Sequence, residues 1–436
     1  MKMLEMHLFP TSPWPRRSFR AFAGLIVWTA AVSAAFAQQA APPPRVDLEQ
    51  AIQLAMAHNP ALKAARTTIQ QSQAQETTAA IHPNPVFTYD DLFVPVFGPF
   101  NGTTINNVSE FDAGISYTFE RGHKRQARIR AARDLTAVTQ SQVHDTERSL
   151  VFNVAQQFVG VLLARANLQL AEQDLDSFQK TVDLSAARYQ AGAISEGDFL
   201  KIKLQLLQFQ TDVSSAKLAV VQALASLRQL LGYEAVPANY DVAGELAYAP
   251  LHLNKEDLQS LALKTRPDFL AAQQGVTAAQ SQYGLARANG KRDVTTTLDY
   301  THVTGLNTMS FIFNIEIPIF DRNQGEIART HYGLAQSEES RTSVEQTVMT
   351  DVANAYEALK TGDQVVQLYQ SGYLKQAQDS RDISEYAYKR GAASLLDFLD
   401  AERSYRATQL AYRQALANYM LALEQVREAV GTRNLP

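Results

Sequence analysis

The chain has 436 residues, 19% of them charged, no cysteine and a formal net charge of -4. That length suits one large domain or two ordinary ones. The lack of cysteine excludes a disulfide framework, a thiolate metal site and a cysteine nucleophile, and the charge is not basic enough to suggest a nucleic-acid partner.

At the N-terminus, Arg16, Arg17 and Arg20 precede an apolar stretch from Ala21 to Ala35, and Ala35-Phe36-Ala37 forms a small-x-small pattern before Gln38. This order predicts a secretory signal peptide over residues 1–37. Its apolar part is short for a membrane span, and no cysteine follows it to carry a lipid. Beyond it no unbroken apolar run of 18 residues occurs, so no spanning helix is expected. An exported chain of this kind is either soluble in the export compartment or a β-barrel.

The remainder reads as two copies of one unit, residues 38–232 and 255–436, joined by a linker at 233–254. Asn59-Pro60-Ala61-Leu62 falls on Arg266-Pro267-Asp268-Phe269, and Phe119-Glu120-Arg121 on Phe320-Asp321-Arg322. The stretch beginning Tyr189-Gln190-Ala191-Gly192 falls without a gap on the one beginning Tyr388-Lys389-Arg390-Gly391. Shared Tyr, Gly, Ser, Asp and Phe in the same order go beyond what two alanine- and leucine-rich helices have in common.

Each unit has the same order of elements. In the first, Val86–Asp91 is a weakly marked strand, expected over about 86–92. Phe111, Ala113, Ile115, Tyr117 and Phe119 alternate with polar or small residues, which predicts a strand over about 110–119. No proline lies between Pro99 and Pro237. Proline inside a helix costs about 3 kcal/mol or more, so this window is free to be helical. It predicts one nearly continuous helix over 125–190, roughly 95 Å long, and a second over 195–231, roughly 55 Å long. In the second unit, Val294, Leu298, Tyr300 and His302 mark a strand over about 293–303, and Met309, Phe311, Phe313, Ile315 and Ile317 one over about 308–318. A second proline-free window then runs from Pro318 to Pro436. Asp90–Ser109 is a long loop with apolar Phe93, Val94, Val96, Phe97 and Phe100, either a lid or a packed loop. Thr304–Asn307 is a tight turn. Both loops lie at the strand ends away from the helices.

Strands of about ten residues with one apolar and one polar face suit a membrane-spanning sheet. In hydrocarbon every strand edge must be paired, and membrane barrels close at eight strands or more. Four strands cannot close alone, so several copies must share a barrel. Two copies would give a filled eight-stranded barrel and three a twelve-stranded one with a lumen. The residues themselves demand only more than one copy.

The eight His are scattered without metal-ligand spacing, and no phosphate loop or serine nucleophile elbow occurs. No catalytic residue, resident metal or cofactor is expected, and the chain does not read as an enzyme.

Over nearly its whole mature length the chain resembles the TolC-like outer-membrane efflux family, the outer membrane factors. The resemblance rests on the Asn59-Pro60 helix start, the two helix–hairpin–helix units and the two glycine-containing helix turns. Most specific is the second turn, Tyr388 to Ala401. Phe320-Asp321-Arg322-Asn323-Gln324-Gly325-Glu326-Ile327-Ala328 is similar to the heavy-metal efflux branch, and Glu120-Arg121-Gly122-His123-Lys124-Arg125 matches that branch loosely. The resemblance implies a mainly α fold with a small β part: a homotrimer with a twelve-stranded barrel in outer-membrane lipid and a tunnel of antiparallel helical hairpins across the periplasm. It implies passive conduction of metal cations or drugs, driven by an inner-membrane pump of the RND type through a periplasmic adaptor. Within transport the alternative is a type I protein secretion conduit; outside it, a periplasmic coiled-coil scaffold without a pore.

The resemblance also suggests site residues. Asp397 and Asp400 lie three apart and share a helix face. Carboxylates near a helix start are common in any case, but the resemblance implies that these two face the closed pore as rings, where six carboxylates in a trimer would attract cations. Asp198 is the first-unit counterpart of Asp397, whereas Lys201 stands opposite Asp400. Tyr388 matches a family tyrosine that latches the closed tip, and Tyr189 is its first-unit equivalent. Where the family has a basic latch partner this chain has Ala393, which leaves Lys389 or Arg390 to serve. Gly192 and Gly391 are expected to permit the tight helix turns and, with Asp198, to form the tips where an adaptor docks.

Overall fold

The computed structural model describes residues 44–93 and 109–436, together with Phe97 and Gly102. The expected signal peptide and most of the 90–109 loop, including Val94, Val96 and Phe100, lie outside the described residues.

The chain runs through β1 (Arg45–Val46), α1 (Leu48–His58), α2 (Pro60–Ala80), β2 (Val86–Leu92) and β3 (Glu110–Phe119). Then come α3 (Lys124–Gln190), α4 (Glu196–Leu231) and β4 (Asp241–Val242). The second half holds α5 (Lys255–Thr265), α6 (Pro267–Asn289), β5 (Val294–Val303), β6 (Leu306–Ile315), α7 (Gln324–Leu368), α8 (Leu374–Arg390) and α9 (Leu395–Val430). Local chemistry sets the starts. Asp47 and Gln50 form a capping box on α1. The Asn59 side chain accepts from the Leu62 amide at 3.0 Å, with Pro60 in the first turn of α2, where proline's missing N–H costs nothing.

α3 is one uninterrupted helix of 67 residues, roughly 100 Å at 1.5 Å per residue. Its second-half equivalent is not continuous, although the proline-free window permits it. A π-helical turn, Tyr369–Tyr373, separates α7 from α8, and Gly372 within it has φ 136°. A residue with a side chain rarely adopts that conformation, whereas glycine does so readily, and such bulges kink helices.

β2, β3, β5 and β6 form one antiparallel sheet in that order. Its register places Phe87 opposite Ile115, Ile115 opposite Leu298 and Leu298 opposite Phe311. Most apolar positions of the four strands therefore share one face, and these four side chains are 41–73% exposed. The other face is mainly polar, with Val86, Leu92, Val303, Leu306 and Ile312 among its hydroxyls and carboxylates; the Thr118 and Thr295 hydroxyls meet there at 2.9 Å. β6 ends at Ile315 rather than near residue 318. Pro318 has no N–H to donate to the ladder, which favours an early end. At its other end β6 begins at Leu306, leaving Thr304 and Gly305, both at positive φ, as a two-residue hairpin.

Among the described residues three cores hold the helices. The first joins α1, α2, α3 and α4 through Ile52, Leu62, Val154, Phe158, Leu227 and Leu231. Part of the 233–254 segment belongs to it: Tyr240 is buried and donates to the Leu224 carbonyl at 2.7 Å. α3 does contain a stretch apolar enough, by length and composition, to cross a membrane, although its apolar residues are spread among polar ones. Leu150, Val154, Phe158 and Val161 of α3 instead pack into this core. The second core joins α5, α6, α7 and α9 around Leu258, Phe269, Val348, Val352 and Tyr419. The third lies where α3 meets α4 and α8 meets α9, and it forms the candidate site.

Candidate functional site: the helix-turn tip

The two turns are built alike. Gly192 and Gly391 have φ 71° and 77°. The Ala193 amide reaches back to the Arg188 carbonyl and the Ala392 amide to the Ala387 carbonyl, each at 2.8 Å. This is the glycine-terminated helix end in which a left-handed residue lets orphan carbonyls find partners. A Cβ at Gly192 would meet open space, and one at Gly391 only Arg188 Nη2 at 3.8 Å. Backbone conformation, and not crowding within the protomer, explains these glycines.

Ser195 and Ser394 cap the helices that follow. The Asp198 amide donates to Ser195 Oγ at 3.1 Å, and Asp198 accepts from Lys201 at 3.4 Å. Asp397 forms a full capping box with Ser394: its carboxylate accepts from Ser394 Oγ at 2.8 Å and from the Ser394 amide at 3.2 Å. Asp400 pairs with Arg403 at 3.1 Å. Both carboxylates are exposed. Asp397 thus has a structural task within its own helix, whereas Asp400 meets only a solvated cation one turn on.

Tyr388 is buried, 5% exposed. Its ring stacks on Phe398 with centroids 5.4 Å apart. The Arg188 guanidinium lies 5.5 Å from the ring centroid and donates to the Tyr388 carbonyl at 3.0 Å. The hydroxyl sits 3.4 Å from Ser185 Oγ. The basic residue that meets Tyr388 is therefore Arg188 of α3. Lys389 pairs with Glu385 at 2.6 Å and Arg390 lies over the Tyr386 ring. Tyr189, at the equivalent place, is 38% exposed and stacks on Phe199.

Deeper in the same region Arg406 of α9 bridges two other helices. It donates to Asp174 of α3 at 3.0 Å and to Asp212 of α4 at 2.6 Å, with its guanidinium 4.3 Å from the Phe209 ring centroid. Neither Arg188 nor Arg406 stands out in the sequence. Both meet partners about two hundred residues away and belong to no local pattern.

Among the described residues no group of acidic or histidine side chains could hold a metal ion. The geometry is that of two helical hairpins tied together, ending in two glycine turns that both carry exposed carboxylates: Glu196 and Asp198 on the first, Asp397 and Asp400 on the second.

The chain belongs to the outer membrane efflux protein family, whose model matches residues 51–233 and 258–432. The cobalt-zinc-cadmium resistance protein CzcC of Cupriavidus metallidurans is 24% identical, over 91% of this chain and 92% of its own length. The cation efflux system protein CusC of Escherichia coli K12 is 26% identical, over 81% of this chain and 80% of its own. A crystal structure of CusC superposes with a TM-score of 0.74, covering 91% of this chain and 96% of that one at 22% identity. The mainly helical fold with a small sheet is therefore that of outer-membrane efflux channels, and the protein acts in efflux at the outer membrane.

Proposed function

We propose that this chain is one third of a homotrimeric conduit. Three four-stranded sheets close a twelve-stranded barrel in the outer membrane, and three sets of helices form a tunnel across the periplasm. The observation that carries this reading is the sheet. Most of its apolar positions are aligned on one exposed face, and β2 and β6 at its edges have no further strand beside them among the described residues. Such edges cannot remain unpaired in hydrocarbon. The two matched stretches of the family model fit a duplicated unit, with 233–254 as the connection.

An inner-membrane pump of the RND type would supply the energy, and a periplasmic adaptor would dock at the turns around Gly192 and Gly391. Metal cations are the cargo that the names of the relatives CzcC and CusC favour. The gate is the tip: Asp397 and Asp400 ring the axis, and Tyr388 holds α8 and α9 in the closed packing. Extraction in mild detergent tests the assembly. A trimer recovered from the outer-membrane fraction that dissociates on heating is the expected result, and a freely soluble monomer would refute it.

A further inference from the structure

α9 packs along α3, and Arg406 is where it is gripped. The same guanidinium serves Asp174 on α3 and Asp212 on α4. Asp174, with a side chain only 7% exposed, depends on it. One turn earlier on α9 stands Glu402, which is 7% exposed and shares a helix face with Arg406. Glu402 borders a cavity of about 460 Å³ lined also by Gln205, Gln208, Asp212, Arg403 and Arg406. Among the described residues no hydrogen bond or ion pair engages its carboxyl.

The charges around Glu402 come from every neighbouring helix. α3 presents Asp174 and α4 presents Asp212. α8 presents Arg381 and Glu385, and α9 itself presents Arg403, Tyr405, Arg406 and Arg413. Most of the cations are already engaged. Arg381 lies 2.9 Å from Asp382 and over the Tyr405 ring, and Arg403 pairs with Asp400. An ionised Glu402 would draw on Arg381, whose ion-pair partner is the half-exposed Asp382, and on Arg406, one turn away on its own helix face, which it would pull from Asp174 or Asp212. An unpaired buried charge is costly, so such a group stays neutral until the structure yields.

We infer that Arg406 is the strap that positions the α8–α9 hairpin against α3 and α4, and that Glu402 sets its grip, tight when protonated and released when ionised. The inference rests on the reading of the tip as the gate, because the hairpin held in this way carries Asp397 and Asp400.

The direction of the pH effect follows from the environment. Burial pushes the Glu402 carboxyl up to about 7; Arg381 and Arg406 pull it down, while Asp174 and Glu385 push it further up. A carboxyl raised above its ordinary value of 4.5 keeps its proton in the packed state when the freed state has lost it. The packing is therefore favoured below 4.5, and this advantage fades as pH rises to about 7. Through Glu402 the strap is tighter at 4.5 than at 7; in stronger acid Asp174, whose carboxyl burial also raises, takes up a proton and its pair with Arg406 weakens.

The test uses the full chain, whose lack of native cysteine suits site-directed spin labels. Gln208→Cys on α4 and Ala407→Cys on α9 report the distance across the cavity. With Glu402 present, the distance distribution should broaden to longer values as pH rises, with a midpoint near 7. With Glu402→Gln it should stay short across the same rise in pH. Arg406→Gln should give the long distribution throughout, and Arg406→Lys should restore part of the short one. If the Gln variant folds poorly, Glu402→Asp serves, with the expectation that the midpoint moves. An unchanged pH response in Glu402→Gln, or no response in the parent, overturns the strap. Conductance recorded on the same samples separates the two readings. A Glu402-dependent distance change without any change in current leaves the strap intact and refutes the tip as the gate.

Discussion

Tyr388 and Phe398 stack with their rings nearly parallel, 5.4 Å between centroids, across the turn joining α8 to α9. Phe178 of α3 lies 6.4 Å from Phe398, and Phe209 of α4 lies 4.6 Å from Phe178. All four helices of the tip thus contribute one ring to a single aromatic column, and the tip is a small hydrophobic core.

Deleting part of that column should loosen the tip selectively. Tyr388→Ala and Phe398→Ala should each cost about 3–5 kcal/mol locally, seen as faster hydrogen exchange in residues 178–209 and 388–402. Tyr388→Phe should be nearly silent, since the hydroxyl contact to Ser185 is long at 3.4 Å. Equal effects of the Phe and Ala variants would mean that the hydroxyl, and not the ring, holds the tip.

Ser394 and Asp400 should separate stability from electrostatics. Ser394→Ala removes a helix cap and should cost about 1 kcal/mol without altering block of the pore by cations. Asp400→Asn removes only an exposed charge paired with Arg403 and should weaken block at unchanged thermal stability. Since Asp397 also caps α9, Asn is the informative replacement there, and Ala would mix the two effects.

Gly192→Ala and Gly391→Ala should each cost about 1–2 kcal/mol through backbone strain at positive φ, because no atom crowds the new methyl at either site. Adaptor binding, measured by co-purification, should survive Ala and fail with a bulky residue at Gly391. Full binding by the bulky variant would remove the docking role.

Arg266 gives the second core its pH dependence. Its side chain is 3% exposed and pairs with Asp268 at 2.6 Å and Asp351 at 2.9 Å. Burial raises the Asp268 carboxyl, but the hydrogen bond and charge of Arg266 outweigh it and hold the group below 3.8. That stabilisation is complete above the ordinary carboxyl range and is lost as pH falls through the lowered value. Arg266→Met should cost about 3–5 kcal/mol and flatten the acid limb of thermal stability against pH.

Much of this was legible from the residues. The alternation Phe111–Phe119 and Met309–Ile315 marks strands because side chains on a pleated strand alternate faces. Proline-free, leucine- and alanine-rich windows mark the long helices, and glycine at 192 and 391 marks the turns. The interruption at Gly372 was not legible, because one glycine in a helical window is tolerated as often as it breaks the helix. The burial of Tyr388 and the joining of Asp174, Asp212, Glu402 and Arg406 were hidden for a different reason. They depend on which helix faces meet, and periodicity within one helix cannot specify its partner. The carboxylates Asp397 and Asp400 were legible as residues, but the capping task of Asp397 became clear only from its contact with Ser394.

On the proposed reading this chain forms an outer-membrane channel gated at the Asp397–Asp400 tip. Single-channel current through the purified protein in a planar bilayer, with divalent cations added on the helix side, tests it most directly. Current that divalent cations block is expected, with the block lost in Asp397→Asn combined with Asp400→Asn. No current at all, or the same block in the double variant, would contradict it.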